Sequence, residues 1–294
     1  MGNDKPKVRW DSTRRYDRSA EVTRVEALTT TGTLKISARA TDDRPFTFVP
    51  GQFVGVEVEE PGRGFRHRPY CLLSGSPEER SFDLMVRVVG QGSMSQSLAG
   101  LHVGDTINFR SPYGRSMVPK EPGTALVLLA TGVGVAPYLC LSRHLLSVGD
   151  LRPIHLYWGL RLPEDVCLTD ELDDLAAAHP RFSYHISLSQ PPAGWQDLTG
   201  RLTESVPPRL EVLGGRHFYL CGNGAMIEEL SSALSDLGVA RELIHTEAYF
   251  NIRHRPAPEV VADIRGRFVA TDLFSPFTDQ QGGWFEQGMR ALEK

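Results

Sequence analysis

Residues 124–142 carry no charged side chain, yet the middle of that stretch is broken by Gly132, Gly134 and Pro137. An uncharged run of this length invites a membrane span, but two glycines and a proline at its centre suit a buried strand, a tight turn and the start of a helix. Residues 125–130, before the turn, are continuously apolar, as a parallel strand covered on both faces must be. Residues 138–146, after it, read as helix. Such a strand needs parallel neighbours. The chain supplies strand patterns at 154–158, 182–188 and 217–220, with helical patterns at 171–177 and 225–237. The alternation predicts a doubly wound α/β domain over residues 124–250, which binds ligands beyond the carboxyl ends of its strands.

Upstream the pattern is different. Short β-rich runs at 21–25, 34–36, 53–58 and 82–88 are separated by Gly and Pro turns, the signature of an antiparallel barrel or sandwich. This gives a β domain over 21–118, joined to the α/β domain by a linker at 118–123 and preceded by a polar, flexible lead-in at 1–20. Two domains agree with a length of 294 residues, about twice the usual domain size. A C-terminal extension, 251–294, carries Phe268, Phe274, Phe277, Trp284 and Phe285. Aromatic content of that order needs cover, from the body of the protein or from a partner.

Composition excludes several classes. A net charge of −4 does not provide the concentrated positive surface that non-specific nucleic-acid binding requires. Cys71, Cys140, Cys167 and Cys221 are widely spaced, with neither the pairing of a zinc site nor the run that holds a plant-type iron–sulfur cluster. The N-terminus lacks the apolar core of a secretory signal, so a cytoplasmic protein is expected, with small molecules or another protein as partners and no membrane. Arg14, Arg15 and Arg18 form a basic cluster that either steers an acidic partner or is a solvated face.

Three stretches have the chemistry of anion or ring binding. Gly132-x-Gly134-x-x-Pro137, entered through Thr131, lies where a strand becomes a helix. Glycines there let the backbone approach a pyrophosphate, and the helix start offers free N–H groups. A plain tight turn is the competing reading, since proline replaces the third glycine of the dinucleotide fingerprint. Arg68-Pro69-Tyr70-Cys71 offers a cation and a flat ring, or simply an exposed Arg and a half-buried Tyr. Gly92-Ser93-Met94-Ser95 either begins a helix with free amides or is a turn.

Taken in order with Gly104-Asp105, Pro112-Tyr113-Gly114, the run from Cys221 through Gly222 to Met226, and Glu247-Ala248-Tyr249, these stretches resemble ferredoxin–NADP reductases over residues 20–250. The resemblance is to the stand-alone bacterial type without an iron–sulfur domain. It implies an antiparallel Greek-key β-barrel that binds FAD, followed by the α/β domain binding NAD(P). It further implies an oxidoreductase that takes electrons from reduced nicotinamide and hands them singly to a ferredoxin, a flavodoxin or an oxygenase component. An NAD(P)H:flavin reductase serving a monooxygenase, or a non-catalytic flavin-binding subunit, are the alternatives on this scaffold.

By the same resemblance Arg68 binds the flavin pyrophosphate together with the amides of Gly92, Ser93, Met94 and Ser95, which favours FAD over FMN. Tyr70, flanked by Pro69, lies against the isoalloxazine, and Tyr249 shields its other face. Thr131, Gly132, Gly134 and Pro137, with Gly222 and Met226, take the dinucleotide. Cys71, Cys221 and Glu247 stand at the reacting centre. Cys71 departs from the family, which usually has Ser or Thr there. Arg161 and Arg201 are candidate ligands for a 2′-phosphate, so NADPH is expected over NADH, although Gln190 stands where NADPH users tend to carry arginine.

Overall fold

The computed structural model describes residues 16–60, 64–88, 93–114, 117–119, 125–210 and 213–249. Six strands form the first half: β1 (Arg18–Ala27), β2 (Thr33–Ala40), β3 (Phe53–Glu60), β4 (Gly64–Ser76), β5 (Ser81–Arg87) and β6 (Thr106–Tyr113). They close as a barrel in the order β1-β2-β5-β4-β3-β6, every pair antiparallel. This is the expected Greek-key barrel. Alternate residues point inward: Ala20 and Val22 on β1, Ile36, Ala38 and Ala40 on β2. Three small alanines leave room for the rings of Phe46, Phe82 and Phe109, whose centroids lie 4.9 Å (Phe46–Phe82) and 5.1 Å (Phe82–Phe109) apart. A short helix, α1 (Ser93–Ala99), stands between β5 and β6.

Arg18 corrects an expectation. Only 5% exposed, it plugs one end of the barrel. Its guanidinium donates to both oxygens of Asp42 and to the carbonyls of Arg44 and Pro45, over the rings of Phe46 and Phe109. A charge so fully paired and buried steers no partner. Arg14 and Arg15 lie outside the described residues.

The second half is a six-stranded parallel sheet. Its strands are β7 (Leu126–Thr131), β8 (Ile154–Leu160), β9 (Phe182–Leu188), β10 (Leu198–Thr199), β11 (His217–Asn223) and β12 (Ile244–Tyr249), in the order β10-β9-β8-β7-β11-β12. Leu126, Leu128 and Ala130 bury one face of β7 in a cluster that includes α2 (Ala136–Ser147) and Leu172 of α3 (Thr169–Ala178). Val127 and Leu129 bury the other face with α4 (Leu202–Ser205) and α5 (Gly224–Asp236). The strand order reverses at β7, which opens a crevice at the carboxyl ends of β7 and β11.

The two halves share a core. Leu73, Met85 and Met117 from the barrel side belong to the same buried cluster as Tyr138 and Leu139 of α2. Arg143 of α2 donates to the Leu73 carbonyl at 2.6 Å and pairs with Glu171. Asp165, past β8, accepts from Thr31 at 2.6 Å and from Arg87 at 3.0 Å. The Arg143–Leu73 bond ties α2 to β4, and the Asp165 contacts tie the β1–β2 turn and β5 to the segment after β8. Among the described residues no helix is long and apolar enough to cross a membrane. The linker residues 120–123 and the extension 251–294 lie outside the described residues.

Candidate active site at the seam of barrel and sheet

On β4 the side chains alternate. Tyr70 packs against the barrel core and Leu72 lies within it, whereas Cys71, 6% exposed, faces the other way. A bulge then intervenes: Leu72 pairs with Leu84 but Ser74 with Asp83. The extra residue, Leu73, is re-aimed into the core shared with the sheet. Arg68 is half-buried and Pro69 exposed. Burial pushes the Tyr70 phenol up to about 12, with Arg68 pulling it down. Arg68 and Tyr70, two residues apart on β4, share a face of the strand.

Cys71 meets the last strand of the sheet. Its thiol donates to Glu247 Oε1 at 3.3 Å, across a sequence separation of 176 residues. Glu247 is in register with Cys221 on the neighbouring strand, and Cys221 is fully buried. Glu247 as a residue is half-buried, but its Oε2 is cut off from solvent and has no hydrogen-bond partner among the described residues. The desolvated carboxyl end is what titrates. Burial pushes it up to about 7, against the opposing hydrogen bond from Cys71. Tyr138, in the first turn of α2, is buried over this group. Its phenol is raised well above the ordinary value, first by burial and then by Cys221, Glu247, Tyr219 and Cys71. A carboxyl poised near neutrality beside a thiol can hold a proton or give it up.

The glycine loop abuts the same place. β7 ends at Thr131, and a 3₁₀ turn, Gly132–Val135, runs directly into α2 with Pro137 in its first turn. Trp158 on β8 donates to the Gly132 carbonyl at 2.8 Å and pins the turn. A Cβ on Gly132 would have nothing within 4 Å, so this side of the loop is open to a ligand. Gly134 is closed in: a Cβ there would stand 2.6 Å from the Cys221 carbonyl oxygen. Gly222, at φ +130°, is tighter still, with a Cβ placed 2.2 Å from Thr131 Oγ1. That hydroxyl accepts the Asn223 N–H at 2.9 Å, and Asn223 Oδ1 in turn accepts from Ala225 N at 2.9 Å, capping α5. The ends of β7 and β11 are thus clasped through Thr131.

The other expected residues fall in different places. Thr131 spends its hydroxyl on Asn223. Met226, in the first turn of α5, is buried in the core. Arg161 is exposed just beyond β8. Arg201 pairs with Glu229 of α5 at 2.9 Å. Ser95 is buried on α1, while Gly92 and the side chains of Ser93, Met94 and Tyr249 lie outside the described residues. Two features escaped the sequence reading, Tyr138 and the Cys71–Glu247 bond, while Asn223 stood in the matched run from Cys221 to Met226 without a role. Tyr138 left a trace only as the one aromatic ring of Phe, Tyr or Trp type in its helix.

An open glycine turn, a cation beside a ring, and an orphaned buried carboxylate oxygen fit a flavin and a nicotinamide dinucleotide meeting at the seam. Residues 23–117 match the oxidoreductase FAD-binding domain and residues 128–232 the oxidoreductase NAD-binding domain. Ferredoxin–NADP reductase B of Sorangium cellulosum is 31% identical over 224 residues, 73% of this chain and 91% of that protein. The chain belongs to the ferredoxin–NADP reductase family. As a family member it has an FAD-binding barrel and an NAD(P)-binding sheet. It is also 30% identical over 208 residues, 70% of its length, to the reductase component of the naphthalene 1,2-dioxygenase/salicylate 5-hydroxylase systems of Ralstonia, spanning 62% of that protein. Among solved structures, the Amycolatopsis cytochrome P450 reductase GcoB superposes with a TM-score of 0.71 at 27% identity, covering 79% of this chain and 69% of that one.

Proposed function

We propose that this reductase takes electrons from NAD(P)H through FAD and passes them singly to a protein acceptor, a ferredoxin, a flavodoxin or an oxygenase component. The observation that carries the reading is the cluster of Cys71, Glu247 and Cys221, assembled where the flavin domain meets the nicotinamide loop. FAD, when bound, supplies a centre that accepts a hydride and releases electrons one at a time. The chain's own groups do the rest. Arg68 and the start of α1 hold the flavin phosphates, Tyr70 and Tyr249 cover the ring, and the Gly132–Val135 turn holds the dinucleotide phosphates. Cys71, Cys221 and Glu247 line the reacting centre, where close positioning does most of the work. Relatives named as reductase or electron transfer components of oxygenase systems support the choice of acceptor. The absence of any disulfide at the four cysteines is in keeping with a cytoplasmic protein.

Cys71 is the residue to test. A thiol donates a weaker hydrogen bond than a hydroxyl, so Cys71→Ser should speed flavin reduction by NAD(P)H in stopped flow. An unchanged or slower rate counts against a role for this side chain at the reacting centre.

NADPH is the favoured donor, because Arg161 stands exposed at the end of the second strand of the sheet, where an arginine can pair with a 2′-phosphate. Losing one charge-assisted pair costs about 1.5–3 kcal/mol. Arg161→Ala should therefore raise KM for NADPH about tenfold or more and leave NADH unaffected. Equal effects on the two would refute the assignment.

A further inference from the structure

One side of the outer two strands carries a row of titratable rings running away from the site. On β11 that side holds His217, Tyr219 and Cys221, and on β12 His245 and Glu247, since alternate residues share a face. Tyr219 is in register with His245, and Cys221 with Glu247. His217 Nδ1 and His245 Nε2 are 3.0 Å apart, their rings within 14° of parallel. The His245 ring stacks on Tyr219 at 4.4 Å, and Tyr219 meets Tyr138 edge-on at 6.4 Å. Both histidines are half-buried, so the row begins at the surface. It ends at Glu247 Oε2, the buried oxygen without a partner. From packed elements the row is faced by Tyr138 of α2, by Cys71 of β4 and, ahead of β8, by Arg152, which pairs with Asp150 and acts on Tyr219.

We propose that His245, with His217 beside it, is the port through which Glu247 exchanges the proton released at the active site with solvent. The proposal rests on the function given above. Oxidising one NAD(P)H while reducing two one-electron acceptors yields NAD(P)⁺ and one proton. The electrons leave with the acceptors, and the proton must cross the protein. Glu247 takes it at the carboxylate and passes it over water to the imidazole two residues down the strand, which hands it to His217 and bulk solvent. Burial raises the Glu247 carboxyl to about 7, so it can both take up and release a proton near neutrality.

Two measurements test the port, and the first needs no turnover. In an NMR titration of the flavin-loaded protein, Glu247→Gln should move the His245 midpoint to lower pH, because the carboxylate no longer favours the imidazolium. A midpoint that does not move overturns the proposal. In the second, His245→Phe keeps the stack on Tyr219 but cannot carry a proton. Turnover with a one-electron acceptor should fall about tenfold or more, with an enlarged solvent deuterium isotope effect, an unchanged nicotinamide KM and recovery on adding free imidazole. Undiminished turnover, or a loss that imidazole does not restore, also overturns it. A protein whose bound flavin NAD(P)H does not bleach would defeat the functional assignment instead, and the NMR titration would still decide the port.

Discussion

Gly222→Ala should cost about 3–5 kcal/mol of stability and abolish NAD(P)H-dependent turnover. Gly222 sits at φ +130°, where an L side chain is strained by about 1–3 kcal/mol. Its Cβ would also lie 2.2 Å from Thr131 Oγ1, 2.8 Å from Thr131 O and 3.1 Å from Thr131 N, an overpacking that adds a similar cost. The chain can relieve this only by parting β11 from β7, which breaks the Asn223–Thr131 bond and shifts the Cys221 carbonyl against Gly134. Chemical denaturation gives the stability and a nicotinamide titration the binding. Adding Thr131→Ala should recover only part of the loss, because two of the three close contacts are backbone. A Gly222→Ala protein of near wild-type stability that still uses NAD(P)H would show that the clasp is not structural.

Replacing Glu247 by glutamine should stabilise the protein at alkaline pH by about 3 kcal/mol relative to acid pH. Burial raises the carboxyl from its ordinary 4.5 to about 7, and each tenfold of proton affinity is worth about 1.4 kcal/mol. For an acid raised on folding, the contribution is fully present below pH 4.5 and is lost as pH rises through about 7. Glutamine does not titrate. The two denaturation profiles, compared in the same flavin-loaded state, should therefore converge near pH 4 and separate by pH 8, with the variant the more stable. A constant difference across that range would mean that the carboxyl is solvated in the folded protein. The substitution should also slow turnover, because the group beside Cys71 can no longer pass a proton.

The parallel sheet was legible because its central strand β7 is a continuous apolar run that Gly132-Val133-Gly134 ends, with strand and helix patterns alternating after it. Four barrel strands were legible in their alternation, whereas β4 and β6 were not, because Pro69 and Pro112 break their patterns. The site was legible only in pieces. No local pattern reveals that Cys71 will meet Glu247, since that bond depends on how β4 packs on α2 through the Leu73 bulge. Arg18 was misread because charge in a polar lead-in resembles a solvated surface, whereas Asp42 and two backbone carbonyls draw it inside. Met226 and Arg201 belong to matching motifs, yet one fills the core under α5 and the other is paired with Glu229. A motif fixes the backbone path. Neighbours decide where each side chain goes.

The central claim is that the seam between barrel and sheet brings reduced nicotinamide to a bound flavin whose electrons then leave singly. Anaerobic titration of the purified, flavin-loaded protein with NADPH tests it most directly, followed by addition of a one-electron acceptor protein. The flavin absorbance should bleach at about one equivalent of NADPH per flavin and return when two equivalents of acceptor are added. Bound flavin that neither NADPH nor NADH bleaches would contradict the account.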